Sequence, residues 1–462
     1  MIQWRNDRLL EPQRKQRVAE LEEHCAHLER ENAALKAIIE KLLLRIEQLE
    51  TMVFGRKRHD DHDDVPPASS GTPKKSPRSH GSFRRATPTQ EEVTERTYHT
   101  IHLCPDCGHP LHRRETVTRF VEDIPLPQKT VTEQMIKRGV CPQCKKRRSA
   151  LPLSSQHCTL GSNVRLYILF AVTVLGQTFE KIRAHLHGLH GLSISDGEIA
   201  AIIQEGHRTL LPALEDIDAR IRDAPVAHYD ETSYPVQRGE QGNYAWVKTS
   251  ATGPETVFRL GRTRGKGNAE EIRGPPSDQV GVSDDYGAYD HLFQNHALCW
   301  AHPLRKFRDL ARSGALTSEH HAACVRFSQS FHHLERSVAL TIASPLSPEE
   351  RRSAVTKFSG AMDTLMIPDP LDLPALATLK NTFLQNKEKY LLCIQMQGVP
   401  MTNNKAERSL RHLVIKRLLS FGSRSQKGAQ AMETILSVLL TLWWSKPEDY
   451  FKELRSLMAL KG

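Results

Sequence analysis

This chain of 462 residues has no apolar run of the length that crosses a bilayer. Its longest, Leu166–Leu175 and Ile435–Trp444, reach about half of the roughly 20 residues a spanning helix needs. Its first residues, Met1-Ile2-Gln3-Trp4-Arg5-Asn6, lack an apolar signal region. A membrane role is therefore excluded and a cytosolic protein expected. Cysteine is also too thinly spread for a disulfide framework: of nine, four stand in two Cys-x-x-Cys pairs and the rest are scattered, the pattern of a metal site in a reducing compartment. Acid is scarce where it matters most. From Met401 to Gln430 there are seven Lys/Arg and a single acid, Glu407.

A lone carboxylate among Lys405, Arg408, Arg411, Lys416, Arg417, Arg424 and Lys427 has a chemical reading: a divalent cation needs an oxygen ligand and a bound polyanion needs cations. The formal charge of +10 agrees with a polyanionic partner. Six of these cations, Lys405, Arg408, Arg411, Lys416, Arg417 and Arg424, are the candidate DNA contacts. Two further acids end short apolar runs: Asp230 follows Ala224-Pro225-Val226-Ala227-His228-Tyr229, and Asp284 follows Val280-Gly281-Val282-Ser283. Both runs read as buried strands with a carboxylate at the C-terminal tip. Between them, Tyr244–Thr249 and Thr256–Leu260 form a hairpin turning at Ala251-Thr252-Gly253-Pro254, and a short helix lies near Asn268–Ile272. Strand, hairpin, helix and strand, with a third acid on a later helix, is the order of a ribonuclease-H-like core. It is expected over 223–430, with a helical insertion at about 304–390 to absorb the long span between Asp284 and Glu407, and a helical segment over 431–462.

Upstream, leucines recur every seven residues at Leu21, Leu28, Leu35, Leu42 and Leu49. The seam Val18/Leu21, Cys25/Leu28, Asn32/Leu35, Ile39/Leu42, Ile46/Leu49 predicts a coiled coil over 15–52, and Asn32 at an a position suits a parallel homodimer in which it meets its counterpart. Residues 53–100 form a linker rich in Pro, Ser, Gly and charge; its run His59-Asp60-Asp61-His62-Asp63-Asp64 reads as solvated charge. Cys104, Cys107, Cys141 and Cys144 supply four corners of a structural zinc tetrahedron in a ribbon over 101–150, with strand-like filling at Val117–Val121 and Thr130–Ile136. The adjacent Lys145-Lys146-Arg147-Arg148 suggests contact with DNA backbone, or a solvated turn. Residues 160–222 read as three helices, the third capped by Ser195 or Asp196; the pair around Gly188-Leu189-His190-Gly191 suits either a helix-turn-helix or plain packing. His296, Cys299 and His302 have metal-like spacing, but as one strand they would alternate between faces, which prevents joint chelation.

Four segments in order carry a family resemblance: His228-Tyr229-Asp230-Glu231-Thr232; Asp284-Asp285-Tyr286-Gly287-Ala288-Tyr289; Cys299-Trp300-Ala301-His302 with Arg305-Lys306-Phe307; and Asn403 to Arg411. Together they resemble the insertion sequence 66 family of DDE transposases. The resemblance implies that Asp230, Asp284 and Glu407 hold two Mg²⁺ ions, that the chain nicks the terminal inverted repeats of a mobile element and joins them to target DNA, and that accessory proteins of the same element take part. Asp285 stands where the family usually has Gly, so the choice of Asp284 rests on alignment with Tyr286 and Tyr289; Pro303-Leu304 is a second departure. A decayed, purely DNA-binding derivative and a nuclease without strand joining are the alternatives.

The zipper gives a direct expectation. In sedimentation equilibrium the segment 15–52 should be dimeric; Asn32→Ile should raise its stability while loosening its choice of oligomer, and Leu28→Pro with Leu35→Pro should leave it monomeric. A monomeric wild-type segment would mean that the leucine stripe packs against its own chain.

Overall fold

A computed structural model describes residues 23–24, 26–32, 34–36, 38–39, 41–46, 87–112, 115–123, 127–150, 160–237, 242–314, 316–370 and 372–458. Val18, Leu21, Cys25 and Leu49 of the seam, and the His59–Asp64 run, lie outside them. The chain divides into two units, Arg58–Thr130 and the remainder.

In the smaller unit the first cysteine pair forms a tight knuckle. The Cys104 N–H donates to the His109 carbonyl at 2.8 Å and Gly108 N–H to the Cys104 carbonyl at 2.9 Å, with Gly108 at φ +74. Within the larger unit Cys141 repeats the pattern, with its N–H on the Lys146 carbonyl at 3.0 Å, Lys145 N–H on the Cys141 carbonyl at 2.9 Å, and Lys145 at φ +55. A lysine in the left-handed region costs about 1–2 kcal/mol, so this turn is imposed by something beyond local preference. Backbone N–H groups aimed at the sulfurs, from Cys107 and Asp106 and from Cys144 and Gln143 respectively, hold the Cys104 and Cys141 thiols below their usual range. The strands of this region are not those expected. Residues 117–121 and 130–136 contain no strand; instead β1 (Arg138–Val140) and β2 (Arg147–Ser149) pair antiparallel across the second knuckle. The knuckle itself turns the chain back, and pairing follows from that local closure.

The described residues between 23 and 46 are helical, and the seam side chains Leu28, Leu35, Ile39, Leu42 and Ile46 are exposed, Leu35 by 58%.

The body of the larger unit is a five-stranded mixed sheet in the order β5-β4-β3-β6-β7, comprising β3 (Val226–Ser233), β4 (Tyr244–Ser250), β5 (Thr256–Arg262), β6 (Val280–Ser283) and β7 (Asn295–Leu298). The first three run antiparallel as a meander, because Ser250 to Thr256 is too short for anything else; β6 and β7 lie parallel to β3. Val226-Ala227-His228-Tyr229 and Val280-Gly281-Val282-Ser283 are buried throughout, as strands covered on both faces must be.

One face carries α1 (Ser162–Thr173), α2 (Phe179–His190), α3 (Asp196–Asp223), and later α11 (Gln426–Trp444) and α12 (Tyr450–Leu457). Ser195 caps α3 with a full capping box to Glu198. The stripe Ile199, Ile203, Leu210, Leu214, Ile217 and Ile221 then packs into the same core as Leu169, Phe258 and Ile435. Gly206 lets α1 approach closely: a Cβ there would meet Leu169 Cδ2 at 2.9 Å. Residues 160–222 and 431–458 thus share one hydrophobic core with the sheet, and neither 222 nor 430 is a boundary in packing. A short α4 (Lys266–Arg273) connects β5 to β6. Between β7 and the last long helices run α5 (Ala301–Ala311), α6 (Ser318–Ile342), α7 (Pro348–Leu365), α8 (Pro374–Gln385) and α9 (Lys387–Gln395), around a second aromatic core of Trp300, Phe307, Phe331, Phe383 and Tyr390. The basic helix α10 (Asn404–Ser420) returns to lie against β3 and β4. Gly422 follows its left-handed C-cap at Phe421, and only glycine fits, since a Cβ would stand 2.1 Å from the Pro235 carbonyl oxygen.

The zinc expected from the sequence would be one tightly held ion per chain, lost from Cys104→Ser or Cys144→Ser together with the ribbon. Elemental analysis measures it, while tryptophan fluorescence, dominated by the sheet and insertion cores, should be unchanged. A metal-free but fully ordered ribbon would contradict the expectation.

Candidate functional site

Adjacent parallel strands bring the first two acids together. In the β3–β6 register His228 stands opposite Val282, so two residues further on Asp230 and Asp284 are level and share a face. Asp230 ends the covered part of β3, and its carboxyl is pushed well above the usual range, first by burial and then by the negative charges of Glu231 and Asp284, with Glu407 adding to them. Burial likewise raises Asp284, against the opposing influence of His302. Backbone amides give each one hydrogen bond: Glu231 N–H to Asp230 Oδ1 at 2.8 Å and Tyr286 N–H to Asp284 Oδ1 at 3.1 Å. Among the described residues neither has a Lys or Arg within ion-pair distance.

Their sequence neighbours are satisfied otherwise. Glu231 points to the opposite face, takes a salt bridge from Arg264 at 2.8 Å and a hydrogen bond from the Tyr289 hydroxyl at 2.7 Å, and Arg264 lies over the Tyr286 ring at 4.0 Å. Asp285 is paired with Lys306 at 2.6 Å. Glu231 and Asp285 thus have basic partners, whereas Asp230 and Asp284 are left to bind something else.

Glu407 arrives from far along the chain, in the first turn of α10, and one residue delivers it. Asn403 is fully buried; its Nδ2–H donates to the Tyr229 carbonyl at 2.8 Å, its Oδ1 meets His228 Nδ1 at 3.0 Å, and its N–H donates to Cys299 Sγ at 3.1 Å. Because the amide nitrogen is already committed to a carbonyl, Oδ1 must accept, and His228 must carry its proton on Nδ1. Burial pulls the His228 pKa down to about 4, so the ring stays neutral in that role. Trp300 N–H, donating to the Met401 carbonyl at 3.0 Å, adds a second tie beside it. The Asn403 carbonyl then accepts the Glu407 N–H at 3.2 Å as the helix begins.

Glu407 Oε1 lies 3.8 Å from His302 Nε2, and Oε2 lies 3.6 Å from Arg305. Oε1 is nevertheless buried without a hydrogen bond. A buried carboxylate oxygen with no donor, beside two carboxyls that repel each other, fits a bound divalent cation, which would satisfy the one and relieve the other.

The region around His296 corrects the strand reading. β7 stops at Leu298 and α5 starts at Ala301, so Cys299 and His302 are not on alternating faces of one strand but at a strand-to-helix junction. His296 is separate, donating through Nε2 to Ser283 Oγ at 2.8 Å, which in turn donates to the Asp284 carbonyl. Cys299, His302 and Glu407 do come together, with one ligand atom of each within 4.8 Å of the others. Burial pushes the Cys299 thiol up to about 11.

Of the six candidate DNA contacts, Arg408, Arg411 and Arg424 are exposed. The other three serve the fold. Lys405 donates to the Gly253 carbonyl in the β4–β5 turn, and Arg417 to Thr232 and Ser233. Lys416 is buried, donates to the Val172 carbonyl at 3.2 Å and has its pKa lowered to about 8 by desolvation; its surroundings make it a packing residue rather than a phosphate contact. Asn403 and Cys299 are the site residues that the reading of the sequence quoted but gave no role. A polar residue at the start of the basic helix was the available signal for Asn403.

Acids gathered at strand tips, with exposed arginines on the neighbouring helix, define a candidate site for a divalent cation and a polyanion. Comparison places the chain within one class of protein that works on such a substrate. The Transposase IS66 family matches residues 157–431, and the chain belongs to that family. Membership supports a transposase role and implies DNA binding and the use of a divalent metal. The match takes in Asp230, Asp284, Cys299, His302, Asn403 and Glu407 and leaves out the knuckles and zipper. The chain is also similar to two proteins of Sinorhizobium fredii: it is 22% identical over 382 residues to one described as "Uncharacterized protein y4hP", covering 73% of this chain and 67% of that one. To "Uncharacterized protein y4jO" it is 28% identical over 164 residues, 36% of this chain and 48% of the other. Among the described residues no helix is long and apolar enough to cross a membrane.

The Asn403 amide predicts a stability effect separable from metal binding. Asn403→Ala orphans the His228 N–H and the Tyr229 carbonyl at about 1–3 kcal/mol each, so urea unfolding of the full chain should show a loss of that order. Asn403→Asp should lose at least as much, because a carboxylate cannot donate to Tyr229 and adds a buried charge beside the acids. A midpoint unchanged in Asn403→Ala would remove the amide from its anchoring role.

Proposed function

We propose that this chain is a DDE transposase in which Asp230, Asp284 and Glu407 hold two Mg²⁺ ions on a ribonuclease-H-like core. The strand order, three antiparallel strands followed by two parallel ones, supports that core. The observation that carries the reading is convergence: β3 and β6 pair in parallel just before Asp230 and Asp284, the helix bearing Glu407 packs against β3 and β4, and after burial and Glu231 the charges of Asp284 and Glu407 both act on Asp230. Mg²⁺ bound there supplies activation of the attacking oxygen and stabilisation of the leaving oxygen of a phosphodiester. The chain's own residues supply the rest. Asn403 holds Glu407 in register with β3, and His228, kept neutral, adds no charge beneath the acids. Arg408, Arg411 and Arg424 offer exposed guanidinium groups to phosphates.

The substrate is DNA, first the terminal inverted repeats of a mobile element and then target DNA, with water and a DNA 3′-hydroxyl as successive nucleophiles. Holding two ends at once suits a homodimer joined through 15–52, the ribbon of Cys104, Cys107, Cys141 and Cys144 bound to structural zinc, and accessory proteins of the same element. Joining of a labelled element end to a plasmid separates this reading from a nuclease that only hydrolyses: cut ends that are never joined would favour the nuclease.

Asp230→Ala, Asp284→Ala and Glu407→Ala should each reduce Mg²⁺-dependent cleavage by more than the roughly 10–100-fold that loss of a ligand's supporting partner costs, with end binding in a gel-shift assay retained. Asp285→Ala should fall within about fivefold of wild type, the scale of a partly exposed ion pair. An inactive Asp285→Ala beside an active Asp284→Ala would move the second acid by one residue.

A further inference from the structure

We propose that Cys299, His302 and Glu407 form a second, soft-cation site, suited to zinc or a similar divalent transition metal, which draws Glu407 away from the acids at the strand tips. The three ligand atoms lie within 4.8 Å of one another, and the 3.8 Å between His302 Nε2 and Glu407 Oε1 is near the edge of about 3.3–3.6 Å of a tetrahedron built on Zn–N and Zn–O bonds of about 2.0 Å and Zn–S of about 2.3 Å. Closing the set on one ion needs side-chain movement of about 1 Å. The backbone holds the ligands ready: Cys299 N–H is tied to the Ser283 carbonyl at 2.9 Å, and His302 follows three residues later in the first turn of α5.

The donor set decides the kind of metal. Magnesium takes hard oxygen ligands and has no use for a sulfur, whereas thiolate, imidazole and carboxylate together select zinc and its neighbours. Asn403 N–H donates to Cys299 Sγ at 3.1 Å, an outer hydrogen bond to the ligand atom of the kind that orients metal ligands. Glu407 Oε1, buried and without a hydrogen bond, has the lone pairs free. Three protein ligands leave a fourth position for water, as in an open zinc site. His302 Nδ1 is buried with no acceptor, so the site lacks the outer hydrogen bond that strengthens most histidine ligands and binds more weakly than four cysteines would. Binding releases the thiol proton to solvent. Because Glu407 is common to both sets, zinc should antagonise magnesium; this consequence rests on the function proposed above, while the binding itself does not.

Titration of the full-length, zinc-loaded chain with Co²⁺ tests the site through the thiolate-to-cobalt charge-transfer band. One cobalt per chain is expected to give the band, which should persist in Cys104→Ser with Cys141→Ser, vanish in Cys299→Ser, and need at least about tenfold more cobalt in His302→Gln and Glu407→Gln. If Cys299→Ser fails to fold, by far-ultraviolet circular dichroism, the His302 and Glu407 variants decide. A band that survives unchanged in His302→Gln and Glu407→Gln, or that disappears with the knuckle cysteines, overturns the proposal. In Mg²⁺-dependent cleavage, half-inhibition by zinc should require at least about tenfold more zinc in His302→Gln; equal inhibition overturns the sharing of Glu407. A wild-type chain that binds cobalt as expected but never cleaves with Mg²⁺ overturns the functional reading and leaves the soft-cation site standing.

Discussion

The buried side-chain amide of Asn403 is the constraint on which the site depends. Its donor satisfies a carbonyl of β3, its acceptor fixes the tautomer of His228 on that strand, and its backbone N–H reaches the junction after β7. The strand β3, the junction after β7 and the start of α10, distant in sequence, are thus referred to a single fully buried residue. An amide suits this place because it offers a donor and an acceptor without charge, in a region where an added charge would be costly to bury and would disturb the neighbouring acids. The start of α10 is set by that network, and Glu407, one turn on, inherits its position.

Around this anchor the protein sorts its acids by pairing. Glu231 and Asp285, adjacent in sequence to the candidate ligands, are paired with Arg264 and Lys306. Asp230 and Asp284 have no such partner among the described residues and are raised, first by burial, while Glu407, 3.6 Å from Arg305, keeps Oε1 buried without a hydrogen bond. In a protein of marginal stability such carboxyls are tolerated where a ligand satisfies them. In the function proposed above that ligand is a divalent cation, and the exposed arginines of α10 meet a polyanion.

The two hydrophobic cores divide the labour. One joins the sheet to the helices that precede and follow it, which is why residues 160–222 pack as part of the main body. The other, built on Trp300, Phe331 and Phe383, folds the insertion against β7 and α5 and so fixes the junction that carries Cys299 and His302. Stability and site geometry meet at Trp300: its indole N–H donates to the Tyr390 carbonyl at 3.0 Å while its backbone N–H holds Met401, two residues before Asn403.

Local pattern alone was enough for features that depend on near neighbours. Apolar runs ending at Asp230 and Asp284 mark strand tips because burial on both faces shows in consecutive residues, and Ser195 with Glu198 marks a helix start because a capping box spans only one turn. The helical pattern over the described part of the leucine repeat and the knuckle turns at the Cys-x-x-Cys pairs are legible for the same reason, while zipper pairing and zinc remain proposals. Partners far along the chain were not. Whether Lys416 meets phosphate or is buried depends on Val172 lying above it, and β7 ends at Leu298 because its partner β6 ends at Ser283, which turns Cys299 and His302 from opposite faces of a strand into one cluster with Glu407. Asn403 belongs with these: its side chain is an ordinary helix-start asparagine in sequence, and only the tertiary structure sets His228 and Tyr229 against it. A sequence pattern records what a residue prefers within a few positions, but burial and pairing are decided by segments brought together from more than a hundred residues away.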